Sequence, residues 1–207
     1  MNARQLTAQD RGEQMTATNT PRTAGANGRL WGMRARDWAD LQEGGFRAGY
    51  VAALEHAAVG AGTRYLDAGC GSGMAAALAA DRGAQVTGID ASDLLLQIAR
   101  DRVPQGAFQT GDLEDLPFGD DSFDVVVGFN SFQYAGNPGA ALAQARRVTA
   151  PSGTVVIMTW GEPDGMEAAA IVGALKQLLP PPPPGAPGPF ALSDEARLRA
   201  FAAEAGL

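Results

Sequence analysis

Cysteine and histidine, which form disulfides and many metal sites, are scarce in this sequence. Its 207 residues include one cysteine, Cys70, and one histidine, His56. A single cysteine forms no internal disulfide, which is typical of a reducing compartment. No apolar run approaches the ~20 residues of a membrane span, and the polar stretch from Met1 to Gln14 lacks the apolar region of a signal peptide. We therefore expect a cytoplasmic protein that does not bind membranes.

Positive charge is also scarce. The chain carries 16 Lys and Arg against 23 Asp and Glu, for a net charge of -7 and a pI of about 4.7. Proteins that bind nucleic acid broadly, or anionic membranes, need a basic face, so we expect neither partner. The hydrophobic content of 45% and the length are ordinary for one soluble globular domain.

The most informative stretch runs from Tyr65 to Gly73. A short apolar run ends in Asp67, glycines follow at positions 69, 71 and 73, and an alanine-rich stretch of helical character comes next. This order predicts a buried strand, a tight turn and the start of a helix. Glycine lets a backbone approach a ligand closely, and the free amides of the helix N-terminus point into the same space.

An acid follows at the end of the next apolar run, where Gln85 to Ile89 lead into Asp90. This is a typical position for a carboxylate that binds the two ribose hydroxyls of a nucleoside. The glycine fingerprint of dinucleotide-binding enzymes fails here, since its third position falls on Met74. Asp67 beside the turn would repel a pyrophosphate and attract an ammonium group. A nicotinamide oxidoreductase is therefore disfavoured.

The run Asp67-Ala-Gly-Cys-Gly-Ser-Gly73, followed by Asp90, resembles the class I S-adenosylmethionine-dependent methyltransferases. The resemblance covers roughly residues 30–207 and is nearest to small-molecule enzymes of the ubiquinone and menaquinone biosynthesis type. It implies an α/β three-layer doubly wound, Rossmann-like sheet of strand order 3-2-1-4-5. It also implies S-adenosyl-L-methionine as cofactor and S-adenosyl-L-homocysteine as product.

The same resemblance assigns roles to individual residues. Asp112, in the segment from Gly111 to Asp124, would accept a hydrogen bond from the adenine amine, and the backbone amide of Leu113 would donate to a ring nitrogen. Trp31 would lie near the cofactor and Trp38 near the methyl acceptor. The residues expected at the cofactor are Trp31, Asp67, Ala68, Gly69, Cys70, Gly71, Gly73, Asp90, Ala91, Ser92, Asp112, Leu113, Asn130 and Ser131.

The end of the fourth strand, at Asn130 to Tyr134, should border the transferred methyl group. It lacks the two prolines of DNA amino-methylating enzymes, the acidic metal ligands of catechol enzymes and the paired glutamates of protein-arginine enzymes. These departures predict a metal-free methyltransferase acting on an O, N or C atom of a small molecule. His56, Gln133 and Tyr134 are weak candidates for a catalytic base, and a structural or surface position is the preferred interpretation of His56. A cofactor-binding protein without catalysis is the alternative.

The pattern along the chain predicts a flexible arm over residues 1–28 and one domain over residues 29–207. The prolines from Pro180 to Pro184 are interpreted as a stiff spacer or as a lid segment. The elements are expected as follows. Strands lie at 64–67, 85–89, 107–110, 123–129 and 154–160, and helices at 46–59, 72–81, 92–102, 137–149, 166–179 and 195–205.

The family's usual last two strands have no counterpart in the sequence. The fifth strand, Thr154 to Trp160, would then form an unpaired edge that is apolar and rich in β-branched residues. Such an edge is a template for pairing with another chain. We therefore expect self-association through this strand, unless the helix 195–205 or the N-terminal arm covers it.

Overall fold

The structure is a computed structural model that describes residues 22–175 and 188–207. Five parallel strands form one sheet in the order β3-β2-β1-β4-β5. The predicted fold class and strand order are thereby confirmed. The strands are β1 Arg64–Ala68, β2 Gln85–Asp90, β3 Ala107–Thr110, β4 Phe123–Phe129 and β5 Thr149–Met158.

Helices connect the strands and cover both faces of the sheet. They are α1 Ala24–Gly32, α2 Ala35–Asp37, α3 Arg47–His56, α4 Met74–Ala80, α5 Asp93–Arg102, α6 Pro138–Val148, α7 Glu167–Leu175 and α8 Glu195–Glu204. A π-helical turn, Trp38–Gln42, and a 3-10 turn, Glu43–Phe46, join α2 to α3. The described part of the chain contains no helix with the length and apolar character of a membrane span.

Alternation along the central strand divides the core into two layers. Tyr65 packs in a cluster with side chains of α3 and α4, whereas the next residue, Leu66, packs in a second cluster with α6. Both side chains are fully buried, because successive residues of a strand face opposite sides of the sheet. This arrangement leaves the strand ends, rather than the faces, free to form a site.

The strand register brings the ends of β1, β2 and β4 to the same edge of the sheet. Asp67 of β1 pairs with Gly88 of β2 on one side and with Val127 of β4 on the other. The residues that follow these positions therefore leave the sheet at one edge. In parallel sheets this carboxyl edge is where ligands bind.

Helix α1 corrects the predicted arm, since it begins at Ala24, inside residues 1–28. Residues 1–21 lie outside the described part. Thr23 Oγ1 and Asn27 Nδ2 both donate to the carbonyl of Tyr134, at 2.6 and 2.9 Å. The sequence of α1 has little apolar periodicity, and these tertiary contacts hold it.

Strand β5 begins at Thr149 rather than at Thr154 and ends at Met158. Phe123 pairs with Thr149 and Val125 pairs with Thr154, so residues 150–153, which lie between the predicted helix 137–149 and the predicted strand 154–160, form an irregular bulge within the strand. Among the described residues, β5 pairs with β4 alone, and α8 packs on α6 instead of covering the strand. The proline segment 180–184 and residues 176–179 of the predicted helix lie outside the described residues.

Candidate active site

One pocket lies at the carboxyl edge of the sheet and holds about 900 Å³ of space, part of it open to solvent. Helix α1, the glycine turn after β1 and the ends of β2, β3 and β4 surround it. The predicted cofactor residues that line it are Trp31, Gly69, Cys70, Gly71, Asp90, Ala91, Asp112, Leu113, Asn130 and Ser131. Four further predicted residues adjoin the lining without being part of it, namely Asp67, Ala68, Gly73 and Ser92.

The glycine turn needs glycine for two different reasons. Gly69 and Gly73 have φ of +83° and +82°, and a Cβ would lie 2.3 Å from Ser131 Cβ at the first and 2.8 Å from Ala99 Cβ at the second. These two residues therefore pack against protein. A Cβ at Gly71 would meet only Trp38 Nε1, at 3.7 Å, so its bare backbone is free to face a ligand.

Asp90 is held in place by the backbone. Its Oδ2 accepts a hydrogen bond from the Gly71 amide at 2.9 Å, and its Oδ1 accepts one from the Ser92 amide at 2.8 Å. Burial raises the pKa of Asp90, while these hydrogen bonds lower it. Each carboxylate oxygen keeps a lone pair. The side chain is thus oriented to accept two further hydrogen bonds in the pocket.

Asp67 is buried, and its Oδ2 has no hydrogen-bond partner among the described residues. Burial raises its pKa to about 8, and the negative charges of Glu43 and Asp90 contribute to the rise. Glu43 and Asp90 both line the pocket. A buried polar atom without a partner indicates a missing donor. A positive group bound in the pocket would lower the pKa of Asp67, whereas these two carboxylates raise it.

The end of β3 supplies the remaining expected contacts. Asp112 and Leu113 line the pocket. Asp112 Oδ1 accepts from the Glu114 amide at 2.9 Å, and its Oδ2 pairs with Arg22 Nη1 at 3.2 Å. Arg22 immediately precedes Thr23, one of the two residues that bond to Tyr134, so this ion pair adds a third connection between the start of α1 and the rim of the pocket.

A buried ion pair at the pocket was not expected from the sequence. Glu43, whose side chain is 3% exposed, forms a short hydrogen-bonded ion pair with Arg102 and accepts from the Met74 amide at 3.2 Å. Arg102 Nη1 also donates to the carbonyl of Ser72 at 3.0 Å. The pair therefore fastens the segment before α3 to the glycine turn.

Removing Arg102 should be costly, because it leaves the Glu43 carboxylate buried without a counter-charge. We expect Arg102→Leu to lower the free energy of unfolding by about 3 kcal/mol. The double variant with Glu43→Gln should recover part of this loss. Urea denaturation of the three proteins measures both effects.

The matched control is Arg199→Leu, which breaks the exposed Arg199–Glu195 pair, whose side chains are 77% and 78% exposed. Exposed pairs contribute roughly 0–1 kcal/mol. Equal losses from Arg102→Leu and Arg199→Leu would contradict the role given to the buried pair.

The three candidate bases are placed differently. Tyr134 lines the pocket; burial raises its pKa, while a hydrogen bond with Trp160 lowers it. Gln133 is 1% exposed and His56 lies exposed at the end of α3, and neither is part of the pocket lining. The structure therefore brings one of the three candidates to the site.

Asn130 adopts a left-handed conformation, with φ of +51°, directly after β4. Its Oδ1 is buried without a partner among the described residues. Strained backbone of this kind at a strand end is common in binding sites. Together with the unpartnered oxygen of Asp67 and the open cradle at Gly71, it indicates a polar ligand that carries donors.

The residues around the pocket are similar to a known protein family. Residues 66–157, which contain the glycine turn, Asp90, Asp112 and Asn130, match a family described as "Methyltransferase domain". This part of the chain is therefore similar to a methyltransferase domain. This confirms the resemblance inferred from the sequence. The pocket fits the cofactor of this family, since it offers a buried acid for an ammonium group, a bare backbone cradle and an oriented carboxylate for a ribose.

Two relatives and one solved structure illustrate the likeness. The chain is 39% identical to a malonyl-[acyl-carrier protein] O-methyltransferase of Erwinia pyrifoliae over 117 residues, 56% of this chain and 45% of the relative. It is 36% identical to a ubiquinone biosynthesis O-methyltransferase of Alkalilimnicola ehrlichii over 126 residues, 58% and 51% of the two chains. The chain thus spans about half the length of the curated relatives it matches.

The solved structure is phosphoethanolamine N-methyltransferase 2 of Haemonchus contortus, in complex with S-adenosyl-L-methionine. It superimposes with a TM-score of 0.60 at 24% identity, covering 77% of this chain and 36% of that chain. At this identity the likeness establishes the fold of the methyltransferase domain.

Proposed function

We propose that this chain transfers a methyl group from S-adenosyl-L-methionine to a small molecule without the help of a metal ion. The observation that carries the proposal is the presence of Gly71 and Asp90 in the lining of one pocket, with the buried carboxyl group of Asp67 adjoining that lining. The names of the relatives, both methyltransferases of small or carrier-bound molecules, support it.

Each part of the pocket has a distinct role in this proposal. Asp90 accepts the two ribose hydroxyls, Asp112 and the Leu113 amide hold the adenine, and Asp67 favours the ammonium group electrostatically. Bound in this way, S-adenosylmethionine supplies a methyl group on a sulfonium, which is already activated for transfer. The chain's task is therefore mainly to position the acceptor and to exclude water.

Oxygen is the first acceptor atom to test, because both relatives named above are O-methyltransferases; nitrogen and carbon acceptors come second. Tyr134 is the candidate of the three that lines the pocket, and it remains a candidate base. Non-catalytic binding of S-adenosylmethionine has no support from the comparisons.

Methyl transfer should not depend on metal. In the part of the chain that the structure describes, no cluster of three or more His, Cys, Asp or Glu is arranged to hold a metal ion. We expect a panel of hydroxyl-bearing acceptors to yield S-adenosylhomocysteine, detected by mass spectrometry, at an unchanged rate in excess EDTA. A rate that is abolished by EDTA and restored by magnesium would contradict this.

We also propose a cytoplasmic location, which the free, buried thiol of Cys70 supports. The net charge of -7 supports the proposal that nucleic acid is not a partner. A second copy of the chain is proposed as a partner through the edge of β5, which pairs with β4 alone among the described strands.

Self-association through β5 is testable by light scattering at increasing protein concentration. We expect Thr154→Lys, an exposed position on the edge strand, to raise the concentration needed for association roughly tenfold, because an edge lysine opposes strand pairing. The matched control is Ala203→Lys on the exposed surface of α8, which should leave association unchanged. A parent chain that stays monomeric at high concentration would refute the proposal.

A further inference from the structure

Arg147, near the end of α6, makes five side-chain hydrogen bonds, as many as a guanidinium group has N–H bonds. Nη2 donates to the carbonyl of Leu116 at 2.9 Å, and Nη1 donates to the carbonyl of Phe118 at 2.8 Å. Nε and Nη2 both donate to Gln144 Oε1 in the same helix, at 3.2 and 2.7 Å. The fifth bond joins Nη1 to the exposed carboxylate of Asp120 at 2.8 Å. The side chain is thus held in one orientation against the segment that follows β3.

This segment is continuous with the residues expected to bind the adenine. Asp112 and Leu113 line the pocket, and a tight turn, closed by a hydrogen bond to the Asp112 carbonyl at 3.1 Å, joins them to Leu116. The backbone of Leu116 is bound to α6 through both of its polar groups. Its amide donates to Gln144 Oε1 at 3.3 Å, and its carbonyl accepts from Arg147. Helix α6 therefore sets the position of the turn.

The turn is attached at both ends. At its start, the Gly111 amide donates to the Asp90 carbonyl at 3.0 Å. At its end, the Leu116 side chain is 3% exposed and packs in the core cluster with α6. Hydrophobic packing is non-directional, whereas the hydrogen bonds of a planar guanidinium fix both position and direction. Since only residues 112–115 separate the two attachments, the direction that Arg147 imposes on Leu116 reaches the pocket.

We infer that Arg147 is a positioning residue that sets the selectivity of the pocket for adenine, acting through Gln144 and the backbone of Leu116. This inference rests on the proposed function, which places the adenine at Asp112 and Leu113. Adenine presents an amine to the carboxylate and a ring nitrogen to the amide. Hypoxanthine presents an oxygen and an N–H at the same positions, so both contacts become repulsive. The two bases are distinguished only if the carboxylate and the amide are held in place.

The neighbouring Arg146 provides a matched comparison. Both arginines are partly buried in the last turn of α6, but Arg146 Nη1 donates to the carbonyl of Thr149, at the start of β5, at 3.2 Å. Replacing either one with lysine keeps the positive charge at the C-terminal end of the helix. An ammonium group does not replace the planar fork that serves two carbonyls and an amide oxygen at once. The two lysine variants therefore separate the fork of Arg147 from its charge.

The test is the calorimetric affinity of the whole chain for S-adenosylhomocysteine and for S-inosylhomocysteine, its hypoxanthine analogue. We expect the parent and Arg146→Lys to prefer the adenine compound by roughly tenfold or more, because a site built for hydrogen bonds rejects a mismatched analogue. Arg147→Lys should reduce this preference by roughly threefold or more, because the turn is then free to shift. A purely structural role would lower the melting temperature and leave the ratio of the two affinities unchanged. An unchanged ratio in folded Arg147→Lys, or an equal loss in Arg146→Lys, would overturn the inference.

A second variant decides the matter if Arg147→Lys does not fold. Gln144→Leu removes the oxygen that links the guanidinium to the Leu116 amide and leaves the arginine in place. It should also reduce the preference for adenine, and a folded Gln144→Leu protein with the ratio of the parent would count against the inference. A parent that binds both compounds equally would place the base elsewhere and overturn the inference as well. Failure of the parent to bind either compound would instead defeat the proposed function itself.

Discussion

Replacing Asp90 with asparagine is expected to weaken the binding of S-adenosylhomocysteine at least tenfold. Hydrogen bonds to a charged acceptor contribute roughly 1.5–3 kcal/mol each, and two are expected from the ribose. An amide also cannot accept from both Gly71 and Ser92, as the carboxylate does at 2.9 and 2.8 Å. One of these backbone amides would face an NH2 group, which would displace the glycine turn.

The matched control for this experiment is Asp101→Asn, because Asp101 is an exposed carboxylate on α5. Calorimetry should give the same affinity for this variant as for the parent, and circular dichroism should show that both variants are folded. Unchanged affinity in Asp90→Asn would show that the nucleoside binds elsewhere.

The affinity for S-adenosylmethionine should rise with pH between about 6 and 7.5, by roughly three- to tenfold per unit at most. Burial raises the pKa of Asp67 to about 8 in the free protein, so its carboxyl group is mainly protonated in this range. A cofactor that carries an ammonium and a sulfonium favours the ionised form. Binding must therefore expel a proton, and it becomes easier as the pH approaches the pKa of Asp67.

Titration calorimetry in two buffers of different ionisation enthalpy measures both the affinity and the released proton. Asp67→Asn should flatten the pH dependence, since an amide neither ionises nor releases a proton. The stability of the free protein should instead fall as the pH rises toward 8. This follows because Asp67 ionises near its usual pKa in the unfolded chain but only near 8 in the folded chain. If the affinity of the parent chain for S-adenosylmethionine is constant from pH 6 to 7.5, the ionisation of Asp67 is not coupled to cofactor binding.

The sequence was sufficient to predict several residues that line the pocket at the carboxyl edge of the sheet. Apolar runs that end in Asp67, Asp90 and Asn130 mark strand ends, and parallel strands bring such ends to one edge. Local patterns suffice here because each residue takes its position from its own strand. The glycine turn was also predictable from the sequence, because its positive φ angles and close packing require glycine at Gly69 and Gly73.

The rest of the pocket was not predictable in the same way. Glu43 and Arg102 are separated by most of the first two βα units, and Glu43 lies in an irregular turn that no periodicity marks. The aromatic rings that line the pocket come from several distant segments, and the sequence provided expectations only for Trp31, Trp38 and Tyr134 among them. Gln133 and Tyr134 are neighbours in one 3-10 turn, yet one is buried away from the pocket and the other lines it.

Helix α1 lies across the mouth of the pocket with almost no clearance. A Cβ at Gly28 would come within 2.2 Å of the Ala91 carbonyl oxygen, and the side chains of Thr23 and Asn27 bond to the carbonyl of Tyr134. We expect a nucleoside bound next to this helix to dissociate faster when these contacts are weakened, because local opening of α1 would widen the exit from the pocket.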